Sequence, residues 1–528
     1  MSLQFIIGSS GIGKTHYACE QIIRESMENP QHLYYIIVPE QFTMQTQKNV
    51  VEMHPGKGIL NIDVLSFQRL AYRIFEETGG AREVLLDDTG KSMVLQKLVQ
   101  QHRKNLPYLG SQMNKPGYLD EVKSLISEFM QYDIREEELQ DMLGKTGEDS
   151  LLHMKMQDVG VLYQAFLQYL EGHYMTGEGV MDALKKAIPF SDKLKKSVLL
   201  LDGFTGFTPV QMNVIRELLN VCDKVLVTVT MDAGENPLQM GKPHQLFYMS
   251  RKMIHTLSGL TSNLDDPILL KDERKGRFGN STSLDFLEKH LFRYKRSAYE
   301  KKQEEICIFA AESPVKELEE TARRIRRLVR EKNLKYGEIA VITGNLEAYK
   351  SIASQVFEES RIPYFLDEKH TILMNPFIEY IRAALEMVTK GFSYESVFRY
   401  LRCDMSGLGR DQVDMLENYV LALGIHGYKK WSEKWVRVYR TMDPEDIQVL
   451  NEYREIFVRE AEILAQGFSS GKRKVCEYCY SLYQFIASCE IQKKLKKQEL
   501  FFKEKGEKAL EKEYAQIYGI VMELLDRM

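Results

Sequence analysis

A glycine-rich segment near the N-terminus constrains this chain more than any other feature. The segment follows the pattern G-x-x-x-x-G-K-[ST] in full and reads Gly8-Ser9-Ser10-Gly11-Ile12-Gly13-Lys14-Thr15. An apolar run at residues 3–7 precedes it, and residues 14–29 have the pattern of a helix. A strand, this loop and a helix in that order direct backbone N–H groups and a positive helix end at a phosphate. The sequence therefore predicts an α/β fold with a phosphate-binding loop.

Three side chains are expected to carry the chemistry of this loop. Lys14 can neutralise the β- and γ-phosphates of a nucleotide, and Thr15 can ligate Mg²⁺. Such sites also need an acid at the end of a neighbouring strand, and Asp202 follows the apolar run 198–201. The next residue is Gly203, where many enzymes of this class have a glutamate that polarises water. We therefore predict that residues 8–15 and Asp202 bind ATP and Mg²⁺, without rapid hydrolysis; a simple turn role for Asp202 is the alternative.

The overall composition is that of a soluble protein with several domains. The chain has 528 residues, 44% of them hydrophobic, with a net charge of −4. A small negative net charge argues against nucleic-acid binding by the whole protein surface, but it is compatible with a local basic groove. Seven cysteines do not form a disulfide framework, and neither a secretion signal nor an apolar run of membrane-spanning length is found. A cytoplasmic location without membrane contact is expected.

Strand and helix patterns alternate in blocks along the chain. Strands are predicted at 34–39, 198–201 and 225–229, and the helical region between them interrupts the first α/β domain. A second α/β pattern places strands at 306–309 and 339–342 around a helix at 315–332. The predicted domains are a P-loop domain of residues 1–80 with 191–235, a helical insertion 81–190, a connector 236–300, an incomplete second α/β domain 301–375 and a second helical insertion 376–528.

Several longer stretches point to a known family. They are VPEQFT (38–43), VLSFQRLAYR (64–73), LLLDGFTGFTPVQ (199–211), IAVITG (339–344), IPYF (362–365), LENY (416–419) and GIHG (424–427). In this order they resemble the AddB/RexB family, which is itself similar to superfamily 1 helicases of the UvrD type. The resemblance implies a P-loop NTPase fold with two RecA-like domains, each carrying a large α-helical insertion. It also implies a subunit of an ATP-dependent helicase–nuclease complex that processes double-strand DNA breaks for recombinational repair.

The same resemblance implies partners and departures. The partner would be an AddA/RexA-like helicase–nuclease subunit in a heterodimer, acting on DNA ends and single-stranded DNA. The family's nuclease domain, with its iron–sulfur cluster, is expected only in a missing C-terminal part. Gly203, Thr205 and Gly206 replace the Glu, Gln and final Asp of the acidic motif of UvrD-like helicases, which implies a weakened or inactive motor. A strand-contacting motif falls on three residues: Ser66, Phe67 and Arg73.

Some features have two interpretations. Phe67 is placed equally well to stack on a base or to lie in the core. Cys476, Cys479 and Cys489 could hold a metal, but buried thiols are favoured because a fourth ligand is lacking nearby. A cluster of arginines at 323–330 could contact DNA, but balancing glutamates favour a solvated helix face. For the whole chain, the alternatives are a scaffold with a vestigial P-loop and an unrelated P-loop NTPase.

Overall fold

The chain is organised as two compact units, residues 1–309 and 310–528. The computed structural model describes residues 2–80, 83–113, 115–147, 150–232, 234–271, 276–294, 297–367, 371–439, 442–443, 445–469 and 473–528. Each unit has its own hydrophobic core. The finer division into five domains stays a prediction.

A parallel sheet forms the centre of the first unit. The strands of the described residues are β1 (Ser2–Gly8), β2 (Leu33–Ile37), β3 (Ile62–Leu65), β4 (Val84–Leu86), β5 (Tyr174–Thr176), β6 (Ser197–Leu201), β7 (Lys224–Thr230) and β8 (Ile268–Leu269). Six of these form the sheet in the order β3-β2-β6-β7-β1-β8. The expected α/β class is confirmed, as are the strands predicted at 3–7, 34–39, 198–201 and 225–229. A parallel sheet is covered on both faces, which explains why its strands are continuous apolar runs.

Helices cover both faces of this sheet. Those of the first unit are α1 (Lys14–Glu28), α2 (Thr43–Met53), α3 (Phe67–Thr78), α4 (Asp88–His102), α5 (Leu109–Gln112), α6 (Pro116–Gln131), α7 (Glu136–Gly144), α8 (Leu151–Leu170), α9 (Gly179–Ala187), α10 (Pro209–Val221), α11 (Tyr248–Ser258) and α12 (Thr282–His290). Helices α1 and α2 pack on the face that carries Ile6 and Leu200. Helices α3, α9, α10 and α11 pack on the face that carries Phe5 and Leu199. Both strand faces are thus buried, and the carboxyl ends of the strands are left for loops.

A separate helical layer lies between β3 and β6 in sequence. Helices α4 to α8 pack around their own core, and the short strands β4 and β5 pair in parallel beside them. The helical pattern was predicted, but these three-residue strands were not. Lys91 Nζ donates to both carboxylate oxygens of Glu178 at 2.9 Å and to Ser127 Oγ at 3.2 Å. Because both charged side chains are almost completely buried, this ion pair ties α4 and α6 to the start of α9.

In the described part of the second unit the regular secondary structure is helical. Its helices are α13 (Pro314–Glu331), α14 (Leu346–Glu359), α15 (Pro376–Thr389), α16 (Tyr394–Leu401), α17 (Arg410–Leu423), α18 (Tyr428–Ser432), α19 (Asp446–Gly467), α20 (Val475–Ser488), α21 (Ile491–Lys505) and α22 (Lys508–Arg527). Helices α15 to α22 share one core rich in aromatic side chains. Helices α13 and α14 form a smaller cluster around Ile325 and Phe357. The helix predicted at 315–332 is confirmed.

The two strands predicted in the second half of the sequence are wrong. Residues 306–309 and 339–342 run without helical structure, yet neither segment forms a β-ladder within the part of the chain that the structure describes. Ile308 is 93% exposed and Ile342 is 91% exposed. An apolar β-branched run favours a strand locally, but a strand exists only where a neighbouring segment pairs with its backbone.

Outcomes differ for the remaining ambiguous features. Cys489 is buried as predicted, whereas Cys476 is exposed and Cys479 is half-buried, so the buried interpretation is wrong for Cys476. No group of three or more His, Cys, Asp or Glu side chains suited to a metal ion occurs among the described residues.

Arg323 and Arg324 both pair with Glu320 on the solvated side of α13, as the charge pattern favoured. None of the described helices is long and apolar enough to cross a bilayer.

Candidate nucleotide site

The glycine-rich loop and Asp202 meet at the carboxyl edge of the sheet. Gly8 ends β1 opposite Thr230 of β7, and Asp202 directly follows β6 on the other side of β7. Thr15 Oγ1 lies 3.0 Å from each carboxylate oxygen of Asp202, although 187 positions separate the two residues. The parallel order of the strands thus places the two expected Mg²⁺ ligands within contact of each other.

Thr228 on the central strand β7 holds the Asp202 carboxylate. Its Oγ1 donates to Asp202 Oδ1 at 2.6 Å, and the Gly203 N–H donates to the same hydroxyl at 3.4 Å. Both Thr228 and Asp202 are buried, so this hydroxyl fixes the orientation of the carboxylate. Sequence reasoning missed Thr228. The available signal was a hydroxyl residue inside the otherwise apolar run 225–229.

Lys14 lies folded over its own loop. Its Nζ donates to the Ser9 carbonyl oxygen at 2.8 Å. Burial lowers the pKa of the Lys14 ammonium, while the negative charges of Asp202 and Glu288 oppose that shift. A desolvated ammonium group is stabilised by a bound phosphate, because hydrogen bonds to the anion replace those that the ammonium has lost to water.

Backbone conformation shapes the loop for close approach of an anion. Gly13 has φ +98° directly before α1 and Gly11 has φ +74°, values that other residues rarely adopt. A cleft of about 740 Å³ opens from the loop, lined by Gly11, Gly13, Lys14, Thr15 and Asp202 together with polar side chains of α2. Oxygen donors at Thr15 and Asp202 suit Mg²⁺, and the loop N–H groups and Lys14 suit phosphates. The residues present therefore fit a magnesium–nucleotide complex.

The residue after Asp202 is a glycine with a left-handed backbone, where a hydrolytic site would have a glutamate. Gly203 has φ +78°, a left-handed conformation that costs a residue with a Cβ about 1–2 kcal/mol. The peptide after β6 therefore turns in a way that a glutamate would not readily follow.

The three residues expected to contact DNA lie around a second cleft and the sheet edge. Ser66 Oγ accepts from the Arg69 N–H and caps α3. The Phe67 ring is 5% exposed and packs against Phe204 and Phe207, with ring centroids 5.6 and 6.3 Å away. Arg73 Nη2 lies 3.0 Å from the Asp63 carboxylate. Of these three, Ser66 and Phe67 line a cleft of about 390 Å³ that the half-buried Phe204 ring shares.

Comparisons with known proteins match both units. The profile of the family described as ADDB, N-terminal, covers residues 5–288, and that of the UvrD-like helicase C-terminal domain covers residues 279–526. The B-type subunit of the ATP-dependent helicase/deoxyribonuclease of Lachnoclostridium phytofermentans is 41% identical over 538 residues, which cover 100% of this chain and 47% of that protein. The proteins of the same name from Clostridium novyi and Caldanaerobacter subterraneus are each 34% identical, with 46% of their length covered. The chain therefore spans about half the length of the curated relatives it matches.

Proposed function

Because the chain belongs to the AddB family of helicase/deoxyribonuclease subunits, we propose that it supplies a nucleotide-binding part of a helicase–nuclease complex. The complex would process double-strand DNA breaks for recombinational repair. Its partner would be an AddA/RexA-like subunit that provides the active motor, and the proposal includes the predicted cytoplasmic location. The iron–sulfur cluster expected from the family would belong to residues outside this chain.

One observation carries the nucleotide proposal: Thr15 and Asp202 meet at 3.0 Å beside a complete phosphate-binding loop. In the proposed complex, the loop N–H groups and Lys14 hold the phosphates, and Thr15 and Asp202 hold Mg²⁺. The metal would supply charge neutralisation for the phosphate oxygens. Thr228 keeps the Asp202 carboxylate turned towards Thr15.

The glycine at position 203 supports nucleotide binding with little hydrolysis. The site has the groups that bind phosphate and metal, but no carboxylate follows Asp202 to polarise a water molecule. Nucleotide would then act as a ligand that changes the affinity of the chain for DNA, while the partner subunit performs the mechanical work.

Single-stranded DNA would cross the cleft lined by Ser66, Phe67 and Phe204. This cleft lies at the carboxyl ends of β2, β3 and β6, the edge of the sheet that also carries Asp202. Phe67 supports the cleft from below because its ring is buried, and the half-buried Phe204 ring is better placed to meet a base. Stacking of this kind tolerates any base sequence.

Binding of a labelled single-stranded oligonucleotide, followed by fluorescence anisotropy, tests the proposal. The titration is made at about 50 mM and about 200 mM salt, since phosphate contacts weaken steeply over this range. It is repeated with and without Mg-ATP for the unmodified chain, Lys14→Ala and Lys195→Ala. Lys195 is an exposed lysine paired with Asp192, so its variant controls for the loss of one positive charge.

We expect salt-sensitive binding that responds to Mg-ATP in the unmodified chain and in Lys195→Ala, but not in Lys14→Ala. DNA binding that ignores both ATP and Lys14 would favour the scaffold with a vestigial loop. Absence of DNA binding at the lower salt concentration, with ATP bound normally, would refute the proposed contact of this chain with single-stranded DNA.

A further inference from the structure

The phosphate-binding loop is covered by a later segment of the first unit, residues 276–294. The Arg277 N–H donates to the Gly11 carbonyl oxygen at 2.8 Å. A Cβ built on Gly276 would lie 2.9 Å from that oxygen, and one built on Gly11 would lie 2.9 Å from the Phe278 ring. Because the two glycines permit this approach, the segment contacts the backbone of the loop itself.

A carboxylate of this segment occupies part of the loop's hydrogen-bonding surface. Glu288, on α12, accepts from the Ser10 N–H through Oε1 at 3.2 Å. The same negative charge acts on Lys14, the lysine expected to meet the terminal phosphates. The Glu288 carboxylate therefore lies where the loop would present the Ser10 N–H and the charge of Lys14 to a bound phosphate.

Helix α12 is anchored, so this carboxylate is held in place. Ser281 caps the helix by accepting from the Leu284 N–H. Beyond its other end, Arg293 Nε and Nη2 donate to the two carboxylate oxygens of Asp232 at 3.1 and 2.9 Å. Asp232 follows β7, the strand that also carries Thr228, so the helix is tied to the same sheet edge as the nucleotide site.

We propose that Glu288 sets the nucleotide affinity of this site by competing with the terminal phosphates for the loop. The inference rests on the proposed nucleotide binding. A phosphate and a carboxylate at the same donors repel each other, so the nucleotide must displace Glu288 before Lys14 and the Ser10 N–H are available. Since the repulsion grows with phosphate charge, ATP is affected more than ADP.

The test is titration of a fluorescent ATP analogue and a fluorescent ADP analogue, each with Mg²⁺, into the full chain. Four proteins are compared: unmodified, Glu288→Gln, Asp285→Asn and Lys14→Ala. Asp285 lies on the same helix and pairs with Lys289 at 3.1 Å, so its variant removes an equal charge without touching the loop. We expect Glu288→Gln to bind the ATP analogue about tenfold more tightly, a difference of about 1.4 kcal/mol, with a smaller gain for ADP.

The outcomes separate the two proposals. If neither the unmodified chain nor Glu288→Gln binds nucleotide, the proposed function fails. If both bind with equal affinity and Lys14→Ala does not bind, the nucleotide site stands and the role of Glu288 is refuted. Weaker binding by Glu288→Gln would also overturn it, because the carboxylate would then assist the nucleotide. Equal gains in nucleotide affinity in Glu288→Gln and Asp285→Asn would mean that net charge causes the effect and would refute a specific role for the contact between Glu288 and the loop.

Hydrogen exchange gives a second readout that does not depend on affinity. Displacement of Glu288 removes one tie between α12 and the loop, so Mg-ATP should speed exchange of the amides of residues 282–290 in the unmodified chain. The same addition should have no effect in Lys14→Ala. Slower exchange in α12 with nucleotide bound would mean that the helix closes on the ligand and would overturn the proposal.

Discussion

Replacing Thr228 by valine tests how the fold holds the Asp202 carboxylate. Valine keeps the shape of the side chain and removes the hydroxyl, which donates to Asp202 Oδ1 at 2.6 Å in a buried setting. A hydrogen bond to an ionised group contributes about 1.5–3 kcal/mol. Because valine leaves both the buried Asp202 carboxylate and the Gly203 N–H without this partner, the loss is not offset, and we expect the free energy of unfolding to fall by about 1.5–3 kcal/mol.

The effect on the metal site should be larger in relative terms. Partners that orient metal ligands typically change metal affinity by about 10- to 100-fold when removed. We therefore expect the Mg²⁺ concentration needed for half-maximal binding of a fluorescent ATP analogue to rise by about tenfold or more in Thr228→Val. Urea unfolding of the same protein gives the change in stability, so the two losses are measured on one sample.

Two variants make the result specific. Thr228→Ser keeps the hydroxyl and should keep the Mg²⁺ dependence. Thr230→Val makes the same chemical change two residues later, at an exposed position on the same strand, and should leave Mg²⁺ affinity unchanged. An unaltered Mg²⁺ dependence in Thr228→Val would refute the idea that this hydroxyl orients Asp202. A loss shared equally by Thr230→Val would attribute the effect to the strand as a whole.

Three further changes have expected outcomes. Lys91→Met leaves the buried Glu178 carboxylate unpaired, so urea unfolding should show a fall of about 3–5 kcal/mol in the free energy of unfolding. The double variant Lys91→Met with Glu178→Leu should largely restore this stability. A smaller loss in the single variant than in the double would contradict the expectation. Burial works to raise the pKa of Glu178, but hydrogen bonds from Lys91 and the backbone hold it below its ordinary value. The stability that the ionised Glu178 adds should therefore be lost as the pH falls through the pKa of this group in the folded state. Lys91→Met should remove that part of the acid transition. Gly203→Glu should cost about 1–2 kcal/mol without raising phosphate release from ATP; a clear rise would show that the backbone turn is not the obstacle. Phe67→Ala should lower the free energy of unfolding by about 3–5 kcal/mol and weaken DNA binding, measured by anisotropy, because the Phe204 ring loses its support; a loss of affinity without a loss of stability would instead identify Phe67 as a stacking residue.

Local patterns were sufficient for the elements that build the first sheet. Buried parallel strands are continuous apolar runs because both of their faces are covered, and a helix after a glycine-rich turn is marked by its own periodicity. The same rule failed at residues 306–309 and 339–342, where no neighbouring segment within the described ranges pairs with the apolar run to form a ladder. Strands β4 and β5 were missed for the opposite reason, since three residues are too few to make a pattern.

The phosphate-binding loop, Lys14, Thr15 and the aspartate expected to join them could be identified from the sequence, because each is marked by its immediate neighbours. Which groups surround them follows from the tertiary structure. Thr228 reaches Asp202 only because β6 and β7 are adjacent, and Glu288 reaches Ser10 only because a segment 278 positions later packs over the loop. Such contacts depend on strand order and helix packing, which no local pattern encodes.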